Sequence, residues 1–387
     1  MPEESLSFAG CGFLGIYHIG CAAAIKKHAP HLVKGRLLGA SAGTLAAAGL
    51  LCDIPAEEMT SSVIEIAMEA RRRLLGPFSP SFHVDTLLRD GMYDMFPEDA
   101  HIRVSGKIQI SVTRVWDRKN VLLTHFNTKD ELITALLCSS FIPGFSGWLP
   151  HSFDGVRYID GGFSDNLPHH DDNTITVSPF AGEAKISPVD GESSTYTLSL
   201  FGTSLSMSME NLHRLSQVML PPAPEVLHKM CRQGYTDTLE FLINHNIINS
   251  LKTIPSHEIY NQDLPEEVAA VFKELIDSEM LKKYPAKVTV KDILSLQLAN
   301  VTCFKFLETN VHEEDSNYTY YTRNCLAQIS NSLNWTIDNF APDHQRAMDR
   351  FYEAYDRYGM YSILTSYTML SFYGILGAYI CLQERML

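Results

Sequence analysis

A basic surplus is missing from this chain: across 387 residues, 31 Lys and Arg stand against 45 Asp and Glu, a formal net charge of −14. Such a balance leaves nothing to neutralise a phosphate backbone, which excludes nucleic acid as a partner. Clustered cysteine is missing too. Cys11, Cys21, Cys52, Cys138, Cys231, Cys303, Cys325 and Cys381 are scattered, with no C-x-x-C pair and no metal-ligand spacing. Neither a metal centre nor a cofactor is expected, and the cysteines read as thiols in a reducing compartment. The first residues hold Glu3 and Glu4 and no basic stretch ahead of an apolar one, unlike a secretory leader. Cytoplasmic placement is therefore expected, with the sequons at Asn300, Asn317 and Asn334 as chance matches. No internal repeat is visible. Acid is wholly absent from Ser5 to Cys52; with Lys26, Lys27, Lys34 and Arg36, residues 1–52 carry +2 and leave −16 to the rest. What remains is an ordinary globular composition, 45% hydrophobic and 20% charged, in a length that suits one large domain and a second region.

The first half alternates apolar runs of strand length with helical patterns. The runs are Leu6–Ala9, Ile108–Val115, Val121–Phe126, Val156–Ile159 and Thr174–Ser178; the helical patterns cover Ile16–His28, Ala42–Leu51, Ala56–Leu75 and Lys129–Ser140. Strands separated by helices predict an α/β fold with a mostly parallel sheet covered on both faces. The alternation of "IQISVTRV" suits a half-covered strand near an edge. After Pro179, the Gly, Ser and Pro content of "AGEAKISPVDGESSTYT" predicts a loop. Glu225–Ile247, Glu266–Leu281 and further stretches to about Asp356 read as helices. The chain divides into a catalytic α/β domain at 5–178, a helical extension at 179–250 and a mainly helical C-terminal region at 251–387.

"FAGCGFLG" sets Gly10, Gly12 and Gly15 between a short apolar run and the helical "GIYHIGCAAAIKKH". Such a turn holds either the pyrophosphate of a dinucleotide or the oxygen anion of a reaction intermediate. The dinucleotide reading requires an acid about 20 residues further on for the ribose, where this chain has none. Arg36 would serve only a phosphorylated dinucleotide, an alternative that stays open. "GASAG" is a G-x-S-x-G pattern between apolar "RLL" and helical "TLAAAGLL", the strand–turn–helix context in which a serine becomes an exposed nucleophile. Gly39 and Gly43 leave room in the sharp turn, and Ser41 opens a helix whose dipole favours developing negative charge. A serine attacking an ester creates an oxyanion that needs N–H donors already in place. Gly10, Cys11 and Gly12, with Gly15 closing the pattern, are the candidate oxyanion hole.

The serine hydroxyl also needs a proton acceptor. "VRYIDGGFSDNLP" ends a strand on Asp160, and Gly161 and Gly162 behind it let another backbone come close. A solvated Asp, with a pKa of ~3.9, is a weak base at neutral pH, and burial beside Ser41 would raise it. His169 and His170 follow Asp160, so a Ser–Asp–His order is present as well. Against that triad, the serine comes too early in the chain for an α/β-hydrolase and the glycine turn lies on the first strand.

Taken in order, "GCGFLG", "GASAG" and "DGG" resemble the patatin-like phospholipases. "SLSFAGCGFLGIYHIG", "HAPHL", "SFIPGFSGWLP", "GVRYIDGGFSDNLP", "TITVSPFAGE" and "QGYTDTLEFL" are similar to that family's adipose triglyceride lipase and adiponutrin branch, Brummer-type lipases included, over residues 5–250. The resemblance implies a three-layer α/β/α sandwich that hydrolyses lipid esters, with Ser41 as nucleophile, Asp160 as general base and no histidine. It also implies an α/β-hydrolase-type co-activator protein as partner. Phe13 and Leu14 stand where the plant pattern carries a basic residue, which agrees with the neutral-lipid branch and weakens a preference for phospholipid.

Two apolar stretches bear on lipid. Leu132 to Phe153 has no formal charge apart from His151, and Pro143, Gly144, Gly147 and Pro150 exclude a continuous spanning helix; Phe141–Trp148 is a candidate lining for an acyl groove. Tyr358–Gln383 runs 26 positions without a charge between Asp356–Arg357 and Glu384–Arg385. That is long enough for a bilayer, yet rich in Tyr, Ser and Thr. A tail anchor, a segment embedded in a lipid-droplet monolayer and a buried helix all fit it. The expected function is hydrolysis of triacylglycerol by a cytoplasmic enzyme at a lipid-droplet or membrane surface. A phospholipase or transacylase, a weakly active droplet scaffold that sequesters lipase partners, and a dehydrogenase are the alternatives.

Overall fold

In the computed structural model, which describes residues 4–73, 76–78, 82–147, 149–191, 197–200, 203–206, 208–248 and 263–277, the sequence motifs fall on the elements expected to carry them. The chain runs β1 (Leu6–Phe8), α1 (Gly15–His28), β2 (Leu37–Ala40), α2 (Ala42–Leu51), α3 (Ala56–Arg71), α4 (Val84–Met95) and α5 (Ala100–Val104). It continues through β3 (Ile108–Arg114), β4 (Asn120–Leu123), α6 (Lys129–Ser139), β5 (Ser152–Phe153), β6 (Val156–Asp160) and β7 (Ile175–Val177). A hairpin of β8 (Thr197–Leu200) and β9 (Thr203–Ser206) then precedes α7 (Met209–Gln217), α8 (Pro224–Asn244) and α9 (Glu266–Asp277). Trp148, the helical stretches expected beyond residue 277 and the segment Tyr358–Gln383 lie outside the described residues.

The central sheet has the order β5-β6-β3-β2-β1-β7, with β4 also on β3. Its middle is parallel (β2 on β1 and on β3, β7 on β1), and β4, β6 and β5 join antiparallel. Successive side chains of a strand point to opposite faces, and every residue of β1, β2 and β7 is buried. Both faces are therefore covered, which makes three layers. On the α1 side α8 crosses so closely that a methyl on Gly20 would strike the carbonyl of Cys231, and one on Gly234 the carbonyl of Tyr17. The Tyr17 hydroxyl donates to Asp237 across that crossing at 2.7 Å, which accounts for the "QGYTDTLEFL" segment of α8.

Strand β3 is not near an edge, contrary to its alternating pattern: β2, β4 and β6 all pair with it. Its polar positions are buried because they are satisfied. Ser111 Oγ donates to the Asp165 carbonyl at 2.8 Å and Thr113 Oγ1 to the Asp160 carbonyl at 2.8 Å. The β8–β9 hairpin falls within residues 179–250, read from sequence as a loop and helices, and α4 had no counterpart in the sequence reading. Among the described residues, no helix is long and apolar enough to cross a membrane.

The register positions the site. Phe8 of β1 pairs with Gly39, Ala40 of β2 pairs with Ser111, and the next residue of β3, Val112, pairs with Asp160. The ends of β2 and β6 thus meet along β3, and the chain leaving β1 passes beside them.

Candidate active site

Between β2 and α2, Ser41 adopts φ 52 and ψ −128, a left-handed backbone that a residue with a Cβ holds at a cost of about 1–3 kcal/mol. The surroundings impose it. Ser41 N–H donates to Ser139 Oγ at 2.9 Å, and the Ser139 hydroxyl donates to the Ser111 carbonyl at 2.7 Å. The Ser41 carbonyl accepts from both the hydroxyl and the N–H of Thr44, at 2.6 and 2.9 Å. Gly39 and Gly43 make the turn possible from beneath: a methyl on either would crowd the Phe8 carbonyl of β1.

The Ser41 hydroxyl lies close enough to the Asp160 carboxyl to favour its ionised form. Asp160 is 4% exposed. Burial pushes its carboxyl up from 3.8 to about 7, against the opposing pull of the Ser41 hydroxyl and of the Gly162 N–H, the latter 2.7 Å from Oδ1. A buried carboxyl with that pKa is half ionised at neutral pH, the range where a general base works best. Gly161 lets the turn lie against Ser111, whose carbonyl a methyl there would strike. His169 and His170 stand exposed on the following loop. The acceptor facing the serine is a carboxylate.

The glycine turn needs correction in two of its four positions. The Gly10 N–H already donates to the Asn166 carbonyl at 3.2 Å, and the Gly15 N–H donates to the Gly12 carbonyl as α1 begins. Phe13 and Leu14 are likewise engaged, with Val218 and Cys11 carbonyls. Among the described residues no hydrogen bond engages the N–H groups of Cys11 and Gly12, which leaves these two as the candidate oxyanion donors. Gly12 has φ +55, and a methyl there would collide with the Val218 carbonyl. Gly15 instead lets α1 approach α2, a methyl lying 3.0 Å from Ala42 Cβ. Cys11 is no competing nucleophile: burial first, then the neighbouring Asp160 charge, hold its thiol far above the usual range. His18, which lies 3.3 Å from the Cys11 sulfur, donates from Nε2 to the Ala9 carbonyl at 2.7 Å. Burial lowers it to about 4, so it is neutral and structural.

Two residues escaped the sequence reading. Ser139 braces the elbow from the end of α6, and nothing marks one hydroxyl among the neighbours in "CSSF". Asn166, inside the quoted "DGGFSDNLP", donates from Nδ2 to the Gly10 carbonyl at 3.2 Å; its Oδ1 lies where a methyl on Gly10 or Gly162 would be. It locks the glycine turn to the Asp160 turn, and the run of small polar residues around it hid that role.

Ser41 lines an apolar cleft shared by α2, α3 and α4, with Gly12, Phe13, Leu45, Met59 and Met92 also in its wall. Ile142 and Phe145 of the stretch read as an acyl-groove lining face it, whereas Phe141 is buried elsewhere. Among the described lining residues there is no Asp, Glu, Lys, Arg or His. Nor, among the described residues, do three His, Cys, Asp or Glu group in a way that could hold a metal.

A family model described as patatin-like phospholipase matches residues 6–172. Over 298 residues the chain is 44% identical to patatin-like phospholipase domain-containing protein 2 of Rattus norvegicus, covering 74% of this chain and 62% of that protein. It is 42% identical over 317 residues to 1-acylglycerol-3-phosphate O-acyltransferase PNPLA3 of Homo sapiens, covering 76% and 66%. It is 35% identical over 267 residues to an omega-hydroxyceramide transacylase of Homo sapiens, covering 67% and 50%. The chain spans about half to two thirds of the length of these relatives.

Proposed function

Residues 6–172 are a patatin-like phospholipase domain, and on that premise we propose that this chain acts on lipid esters, as a serine lipase that releases fatty acid from triacylglycerol. Ser41 Oγ attacks the acyl carbonyl while its proton passes to the Asp160 carboxylate. The carbonyl oxygen takes up negative charge facing the Cys11 and Gly12 N–H groups, a stabilisation worth about 2.7–4 kcal/mol per donor. When the tetrahedral adduct collapses, the ester C–O bond breaks and Asp160 returns the proton to the departing glyceride oxygen. Water then attacks the acyl-enzyme, its proton going to Asp160, and fatty acid leaves as the proton returns to Ser41.

The single observation that carries this reading is the Ser41 hydroxyl lining an apolar cleft and facing a buried carboxyl raised to about 7. The uncharged lining favours a neutral glycerolipid, since a phospholipid headgroup would find no cation there among the described residues. A substrate of that kind places the enzyme at a lipid-droplet or membrane surface. Acyl transfer is the second reading. The acyl-enzyme is common to both, and two relatives bear the names acyltransferase and transacylase.

The test is a panel of emulsified triacylglycerol, phosphatidylcholine, and triacylglycerol with monoacylglycerol as added acceptor, for purified protein and Ser41→Ala. Fatty acid release from triacylglycerol is expected to fall by about 10⁴-fold or more in Ser41→Ala; activity retained there ends the reading. Faster release from phosphatidylcholine moves the substrate to phospholipid, and acylation of monoacylglycerol outpacing hydrolysis selects the transferase.

A further inference from the structure

Gly91 sits inside α4 and lines the cleft. Glycine is a poor helix residue, second only to proline, so its place in a helix calls for a reason. Gly20 and Gly234 have one in the close crossing of α1 and α8. At Gly91 no backbone presses: the nearest atom to a methyl would be the Ser62 hydroxyl oxygen at 3.3 Å, a group free to rotate. What the missing side chain leaves is room in the cleft.

That room lies on the α3–α4 side of the cleft, whereas Ser41 stands at the start of α2. Gly49 lies eight residues along α2 from Ser41, about 12 Å at the helical rise. There Met59 of α3 reaches across, a methyl on Gly49 falling 2.5 Å from its Sδ. Gly91 faces α3 through Ser62, one turn from Met59. An extended alkyl chain advances about 1.3 Å per bond, as the three-bond Cα step of 3.8 Å does, so the distance from Ser41 to this end takes roughly nine carbons. The cleft is long enough for one acyl chain and uncharged among its described lining residues.

We propose that the cleft is a single acyl-chain site and that Gly91 is its length-determining residue, keeping the deep end open for the distal part of a long chain. The kinetic part rests on the hydrolase reading; the binding part does not. The test uses the full chain with Gly91→Leu and Gly91→Ala. For p-nitrophenyl esters, the ratio of kcat/KM for dodecanoate over butanoate is expected to fall at least about tenfold in Gly91→Leu, because excluded methylenes lose their transfer from water. A smaller fall is expected in Gly91→Ala, whose thermal midpoint should match or exceed wild type. Separately, a fluorescent hexadecanoic acid is titrated into Ser41→Ala protein with and without Gly91→Leu, and its binding should weaken at least about tenfold. An unchanged ester ratio in an active enzyme, or unchanged fatty-acid binding, overturns the proposal. Should wild type cleave neither ester, the hydrolase reading fails and the titration alone decides the role of Gly91.

Discussion

The chain builds the same device twice. β1 leads through Gly10–Gly15 into α1, and β2 leads through Gly39–Gly43 into α2, each a buried strand, a glycine-flanked turn and a helix. The difference lies in which residue takes the left-handed backbone. In the first unit it is Gly12, at φ 55, where a Cβ would meet the Val218 carbonyl. In the second it is Ser41, at φ 52. The first turn offers N–H groups and keeps side chains away; the second offers a hydroxyl and holds it under strain. Strain of about 1–3 kcal/mol has to be offset locally, and the bonds from Ser139 and Thr44 do so. A glycine at a turn is thus a conformational permission in one unit and, at Gly39 and Gly43, clearance for a strained neighbour in the other.

Exchanging residues between the two units gives the largest expected effects. Ser41→Gly should abolish hydrolysis, by about 10⁴-fold or more, while raising stability by roughly 1 kcal/mol as the strain is released. Gly12→Ala should lose at least about 2 kcal/mol, read as a lower denaturant midpoint, since collision and φ act together. Equal signs for the two midpoints would remove the contrast drawn here. A smaller effect is expected behind the elbow. Ser139→Ala leaves the Ser41 N–H without its acceptor; kcat should drop about 10- to 100-fold with KM little changed, and Ser139→Thr should restore part of it. If KM rises instead, Ser139 shapes the cleft rather than the nucleophile. The smallest effect is set by pH. Asp160 must be ionised to accept the serine proton, and burial places its pKa at about 7. The rate should therefore climb about tenfold per pH unit below 7 and level off above. A plateau extending down to pH 5 would mean that a different group takes the proton.

Much of this was legible in one dimension. Both glycine turns, the serine and the strand-ending Asp160 are local patterns, written within a few residues of one another, and their backbone requirements follow from sterics alone. The strands were legible as buried segments, but their neighbours were not. "IQISVTRV" alternates as an edge strand would, and became an interior one because Ser111 and Thr113 find acceptors at Asp165 and Asp160, far along the chain. Likewise, four residues of the first turn looked equally able to hold an oxyanion. Only the fold commits the Gly10 N–H to Asn166 and the Gly15 N–H to Gly12, leaving Cys11 and Gly12.

The sequence by itself thus determined the chemistry available: a serine on a sharp turn, a carboxylate at a strand end and a glycine-rich helix entry, because each depends on bonds and clashes between near neighbours. The tertiary structure alone decided that Ser41 and Asp160, 119 positions apart, face one another, that burial raises the carboxyl to about 7, and that Ser139 and Asn166 brace the pair. Those outcomes depend on strand order and register, which set the Ala40–Ser111 and Asp160–Val112 pairings side by side, and no local pattern encodes which strand lies next to which.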